Sequence, residues 1–576
     1  VSVAPAAGAR VPARGRWGFL ARLETTAGGT GGSLVLYLAL SLALFGLHAL
    51  RHPASQIVAS DELDSSQFMW FFAWWPHALL HGLNPFVTHL MFVPDGFNLT
   101  WATSMPGPSL LLAPVTLAFG PAVTWNVMQL LAPALSAWTA FVLCRHITGN
   151  RRAALVGGYV FGFSPYMLIH LTGGPYLALV ALLPVFVLLV LRRLEGRDGP
   201  RRFVGLMALA LVAEFSISPE VLVTATLFGG FALIVAFLAY PQRRPELRRL
   251  IGLLALAYAA LVVVVSPWLY FFFFGHQYPP GATFFPADLT SLVLPPSLVE
   301  LAKSPHGLSG SFKGSSTESY LGLPLLAALA TFAWECRRRR ATWLLLASFA
   351  AAVILALGAP LVVHGHKTSV RGPWELFAQL PVLRYAIPIR LIVFALLPAS
   401  VALATWLAAR GGRARWILAL AIVVSFLPAF DNRAWNFHIS DPPFIASGEY
   451  RSYLTASDNV LTVPVWGPNE RWQADTKFAF ALSAGYAGNP FPSAYARYPT
   501  WKTLLTGQLT ADYAAQLRRF LHDKRVTIVV VDKRAFPAPW LTLFGGLGVR
   551  PVDTGGVLIY RLRGSAASPL PGTRAS

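Results

Sequence analysis

The chain has 576 residues, of which 55% are hydrophobic and only 12% charged, and its mean hydropathy is +0.55. No single water-soluble core absorbs that much apolar sequence, which excludes an ordinary soluble domain and points to a polytopic membrane protein. The formal net charge of +21 is carried by short arginine clusters between apolar runs, a placement that positive-inside topology explains better than nucleic-acid binding.

The N-terminal stretch 1–31, with Arg10, Arg14, Arg16 and Arg22, reads as a cytoplasmic tail leading into a retained first span at 32–50. Directly after that span come three carboxylates, Asp61, Glu62 and Asp64. Behind them Phe68, Phe71, Phe72, Trp75 and Leu79 recur at helical spacing beside Trp70 and Trp74. The pattern predicts an amphipathic helix lying in the membrane interface, with acids poised on its water side. Further spans are expected at 123–146, 153–171, 175–193, 203–217, 220–240, 250–273, 319–335, 341–362, 388–409 and 416–430, about eleven in all. The proline-bounded piece 106–120 is expected to be half-buried or re-entrant. Basic turns such as Arg151-Arg152 and Arg337 to Arg340 then face the cytoplasm, and the long loops 51–122, 274–318 and 363–387 face outward.

After Phe430 the composition turns polar, with β-rich runs at 459–465, 526–531 and 556–560 and an amphipathic helix at 511–522. These predict a small α/β domain over 431–563 on the outer face, followed by a disordered tail over 564–576. The fold class expected is an all-α polytopic membrane domain over 32–430 carrying that extracytoplasmic α/β domain. Cys144 and Cys336 fall beside cytoplasmic arginines, so neither a disulfide nor a metal cluster is implied. Asn98-Leu-Thr100 matches a glycosylation sequon, a pattern short enough to arise by chance.

Ionisable residues that persist beside membrane spans are functional candidates. Asp64, against an aromatic shelf, is expected to have a raised pKa suited to a general base for a hydroxyl nucleophile, with Asp61 and Glu62 as alternates. The competing reading makes all three a solvated helix cap held by the dipole. Glu214 and Glu220 flank a short outer turn and Glu318 precedes a span, Glu220 and Glu318 being also readable as dipole stabilisation; His170 is more often a structural histidine than a ligand. Arg384 and Arg390 stand on the outer side against the charge bias and need a partner. A lipid phosphate or diphosphate fits, and so does an acid of an opposing loop. Arg371, with Lys303, Lys313, His364 and His366, is a further contributor. No phosphate-binding Gly loop, dinucleotide fingerprint, zinc signature or nucleophile elbow stands out, which argues against ATP coupling.

The stretch from Asp64 through His81-Gly-Leu-Asn-Pro85, with Phe163-Ser-Pro-Tyr-Met167, Ile217-Ser-Pro-Glu220, Glu318-Ser-Tyr-Leu-Gly-Leu-Pro324 and Leu380 to Arg390, resembles the GT-C superfamily of integral-membrane glycosyltransferases. Within it the chain is similar to the bacterial group that includes YfhO-like proteins. The resemblance implies a plasma-membrane enzyme. It would take a sugar from a polyprenyl-phosphate donor, use Asp64 near the acceptor, and modify an envelope glycan, lipid or protein outside. Gly173-Gly-Pro-Tyr176 stands where related sequences carry a His-rich turn, which argues against a donor-binding histidine there. Some members of the superfamily use a divalent metal, and the resemblance leaves one open. The alternatives are a non-catalytic lipid-linked glycan transporter or flippase, or a membrane scaffold. A transporter would place its ionisable groups at mid-membrane depth rather than at one interface.

Overall fold

The computed structural model describes residues 17–276, 285–303, 316–380, 383–409, 412–465, 467–488, 493–535 and 538–562. The tail from Gly564 and Lys313 lie outside the described residues, as does the side chain of Lys303. Six described helices are long and apolar enough to cross a membrane: Gly29–Arg51, Pro121–Thr148, Pro175–Leu194, Pro219–Ala239, Pro241–Val264 and Pro388–Ala409. The chain is a multi-pass membrane protein. Leu323–Cys336 and Arg340–Ala356 are apolar but shorter, and Pro200–Ile217 and Arg413–Ser425 occupy two further expected positions.

The span expected over 153–171 is interrupted. Arg151–Gly162 ends, and Pro165–His170 starts anew. The Ser164 hydroxyl accepts the Met167 N–H at 3.4 Å, so Ser164 caps a second helix whose first residue, Pro165, has no N–H to continue the first. The break brings His170 and the following glycines beside Asp64 and Glu318. The piece 106–120 forms two short helices, Pro106–Leu111 and Ala113–Phe119, with Leu111 and Phe119 exposed, as half-burial predicts.

The aromatic helix departs from expectation. Leu63–Leu80 is buried on nearly every side, Ser65 to Pro76 included, and does not lie with one face open to the interface. Aromatic and apolar residues stand on all its faces, and a helix apolar all round is one that protein covers. Trp70 and Trp74 stack at 5.2 Å between ring centres and Phe478 meets both edge-on. The Trp70 indole donates to Gln473 Oε1 at 2.7 Å, and that of Trp74 to the Pro85 carbonyl at 3.0 Å. Each fully buried Phe or Met here contributes about 1.5–3 kcal/mol.

The cover comes partly from the helices of residues 106–148, with Trp125 and Met128 in the same cluster, and partly from the C-terminal region. Its five-stranded sheet runs in the order Val552–Thr554, Val557–Arg561, Ile528–Asp532, Asn459–Val463, Ala481–Leu482. The two central strands are parallel, in register Val460↔Ile528 to Val463↔Val531. The helix Tyr513–Asp523 feeds the second of them, as a parallel pair requires. This sheet shares one apolar core with the helix Leu63–Leu80: Trp70, Phe71 and Trp75 belong to the same buried cluster as Leu461, Val529 and Val531. The backbone joins them too, since Leu482 N–H donates to the Leu90 carbonyl at 2.9 Å and Gln56–Ile57 pairs with Phe437–His438. Asn98, the sequon residue, is buried, its amide donating to the Phe271 and His276 carbonyls at 2.9 and 3.0 Å.

Candidate active site

A cavity of about 470 Å³ opens where the loop after the first long apolar helix, the broken helix and the C-terminal region meet. Asp64, His170, Glu220, Glu318 and Arg390 all line it, with Tyr176, Tyr385 and Tyr486. Residues 64, 170, 220, 318 and 390 are thus gathered from five separate stretches of chain.

The three acids of the first loop take different positions. Asp61 Oδ1 accepts the backbone N–H groups of Leu63 and Asp64 at 3.0 and 3.4 Å, which is helix capping. Glu62 turns outward to Arg471, Oε1 to Nη2 at 2.7 Å. Asp64, in the first turn, lines the cavity and accepts a hydrogen bond from the Tyr486 hydroxyl at 3.1 Å. Burial pushes the Asp64 carboxyl up to about 6, and the negative charge of Asp61 adds to the rise. The Tyr486 hydrogen bond and the Arg390 guanidinium pull it back. The group is therefore poised to exchange a proton near neutral pH.

Opposing charges complete the walls. Arg390, in the turn Pro388–Ile392, pairs with Glu220 at 2.7 Å. Glu220 sits in the first turn of Pro219–Ala239, whose cap, Ser218, accepts the Val221 N–H at 3.2 Å. Both readings of this pair are thus present in one place: Glu220 enjoys the helix dipole and also answers an arginine. The guanidinium has five N–H donors, one of them committed to Glu220 through Nη1, and it lies 5.7 Å from the Tyr176 ring centre. His170 Nε2 lies 3.3 Å from Glu318 Oε2, both buried, but the approach is not a hydrogen bond and leaves both atoms without one. The Gly173-Gly174 turn packs closely on the site: a Cβ at Gly173 would stand 3.2 Å from Asp64 Oδ2, and one at Gly174 3.2 Å from His170 Nδ1, so either would have to displace that side chain by a few tenths of an ångström.

Other expected contributors lie elsewhere. Arg384 is exposed and stacks over its neighbour Tyr385 at 4.7 Å. Arg371 pairs with Glu375 at 2.8 Å beside a separate cavity of about 610 Å³. His364 and His366 belong to the hairpin Val362–Val363/His366–Lys367, which does not line the Asp64 cavity. Glu214 is fully buried within Pro200–Ile217, outside the cavity lining. Among the described residues no three His, Cys, Asp or Glu side chains come together to hold a metal ion.

Sequence reasoning missed Tyr486 and Arg471. Arg471 is 3% exposed and pairs with Glu62, Asp441 and Asp475. Removing one partner of a buried ion cluster leaves the others uncompensated, at a cost of about 3–5 kcal/mol. Arg471→Met is therefore expected to lower the unfolding temperature of the purified protein markedly, read by intrinsic tryptophan fluorescence. Wild-type melting would show that solvent takes over the role of the guanidinium.

A family model described as Domain of unknown function (DUF6311) matches residues 34–433. The chain belongs to this family. The DUF6311 match takes in Asp64, His170, Glu220, Glu318 and Arg390 and stops short of Tyr486. No curated protein matches the chain. Among solved structures it is similar to the arabinofuranosyltransferase AftD from Mycobacteria (16% identity, TM-score 0.58), over 93% of this chain and 40% of that one. It is also similar to the Archaeoglobus fulgidus oligosaccharyltransferase (13%, 0.50, 89% and 71%) and to ArnT from Cupriavidus metallidurans (12%, 0.50, 92% and 98%). The chain spans well under half the length of the mycobacterial protein it resembles. At these identities the likeness to these proteins is one of fold.

Proposed function

We propose that this DUF6311 protein is a glycosyltransferase of the plasma membrane that works on the outer face, close to the YfhO-like group. It takes a sugar from a polyprenyl-phosphate donor and passes it to a hydroxyl of an envelope glycan, lipid or protein. In this reading about eleven spans leave the loops 51–122, 274–318 and 363–387 and the α/β region 431–563 outside, where such an acceptor is found.

The observation that carries the reading is one cavity holding a carboxylate with a raised pKa and an arginine on another wall. Asp64 takes the proton of the acceptor hydroxyl as its oxygen forms a bond to the anomeric carbon. The bond from that carbon to the donor phosphate oxygen breaks, and the lipid phosphate leaves with the electron pair. Negative charge growing on that oxygen is met by Arg390, whose donors suit a phosphate. The acids lie together at one end of the apolar helices, which favours an enzyme over a transporter.

The base must be ionised to work. Transfer by purified protein should therefore rise with pH up to about 6 and level off above it. Below that point kcat/KM should fall about tenfold per pH unit. A profile flat from pH 4.5 to 8 would remove Asp64 from the base role.

A further inference from the structure

The cavity is not complete within the matched family region. Residues 486–488 line it, and they lie beyond residue 433. The helix Asn469–Asp475 fastens this segment to the aromatic helix at several points. Arg471 binds Glu62, two residues before Asp64, at 2.7 Å. Gln473 accepts from the Trp70 indole at 2.7 Å and donates to the Leu90 and Phe480 carbonyls at 2.8 and 2.7 Å. Glu470, fully buried, accepts the backbone N–H of Tyr486. A Cβ at Gly485 would meet Glu470 Oε1 at 2.9 Å and Met91 Cγ at 3.1 Å, so a side chain there would have to push Glu470 aside. The short helix thus holds both the turn that carries Asp64 and the loop that carries Tyr486.

We infer that Tyr486 is a positioning residue: its hydroxyl aims the Asp64 carboxylate into the cavity and stabilises its charged form, and the helix Asn469–Asp475 holds it in place. The inference rests on Asp64 being the base. A donor to an ionised oxygen favours the ionised state. The other groups that face Asp64 are Asp61 from its own turn, Arg390 with its partner Glu220, and Tyr176, with the His170–Glu318 pair on the cavity wall. Tyr486 contributes no charge, so it tunes the carboxylate without repelling a phosphate. The region after residue 433 is then part of the reactive centre rather than an appendage to it.

The test uses the full chain in lipid nanodiscs and needs no sugar donor. Protonated carboxyl groups are followed by infrared difference spectroscopy against pH, and the band lost in Asp64→Asn identifies Asp64. Its midpoint is expected near 6 in the wild type. Tyr486→Phe keeps the ring and removes the donor, so the midpoint should rise by about one unit, with the carbonyl stretch moving to higher frequency. Replacing Tyr486 by 3-fluorotyrosine keeps the fold and makes the hydroxyl a stronger donor, so the midpoint should fall. Shifts in these opposite directions support the inference, and an unmoved midpoint in either protein overturns it. Because the titration does not depend on turnover, an Asp64→Asn protein that still transfers sugar would defeat the base assignment alone.

Discussion

Asp64→Asn should cut turnover by roughly two to four orders of magnitude while leaving donor binding nearly unchanged. Asparagine keeps the size of the side chain and can still accept from Tyr486, so the cavity keeps its shape. What is lost is the site that takes the acceptor proton, an interaction that matters in the transition state. Asp61→Asn and Glu62→Gln are the internal controls. Asp61 uses its carboxylate to cap a helix, and asparagine caps nearly as well. Glu62 acts on Arg471, so its loss should appear first in stability. Near-normal turnover in Asp64→Asn with loss in a control would move the base to that control.

Arg390→Gln should lower kcat/KM for a lipid-phosphate donor by roughly a hundredfold to a thousandfold, with the protein still inserted. Arg390→Lys should recover part of that, because an ammonium supplies charge without the planar fork. Arg384→Gln and Arg371→Gln should change little, since Arg384 is exposed over Tyr385 and Arg371 pairs with Glu375 beside another cavity. The comparison is made by varying donor concentration for all four proteins. Equal efficiency in Arg390→Gln and wild type would leave Arg390 as the partner of Glu220 and nothing more.

The sequence made some of this legible and hid the rest for physical reasons. Long apolar runs declare themselves by length alone, and so five of the six long apolar helices lie within a few residues of an expected span, while Pro241–Val264 begins nine residues before the expected 250–273. Breaks within such runs depend on a single capping step, and Ser164-Pro165 was hidden in a run that reads as continuous. Three acids after the first span marked the site, but which one faces inward depends on where one helical turn begins. A start at Leu63 leaves Asp61 as cap and turns Asp64 to the cavity. The aromatic helix reads as interfacial because lipid-facing and protein-covered aromatics look alike in sequence. Its cover, Gln473 and Phe478, lies about four hundred residues away. Tyr486 carries no local pattern at all, and only the folded chain brings it to Asp64. Arg384 and Arg390 are equivalent by charge; the turn Pro388–Ile392 separates them.

The central claim is that the Asp64 cavity moves a sugar from a lipid phosphate. The most direct measurement supplies purified full chain in nanodiscs with a panel of polyprenyl-phosphate sugars labelled in the sugar, and follows the label out of the lipid fraction. Wild-type protein should release label from at least one donor, leaving free polyprenyl phosphate, and Asp64→Asn should release almost none. Release at the same rate by both proteins, or no release from any donor by wild type together with envelope glycans unaltered in a deletion strain, would contradict the account.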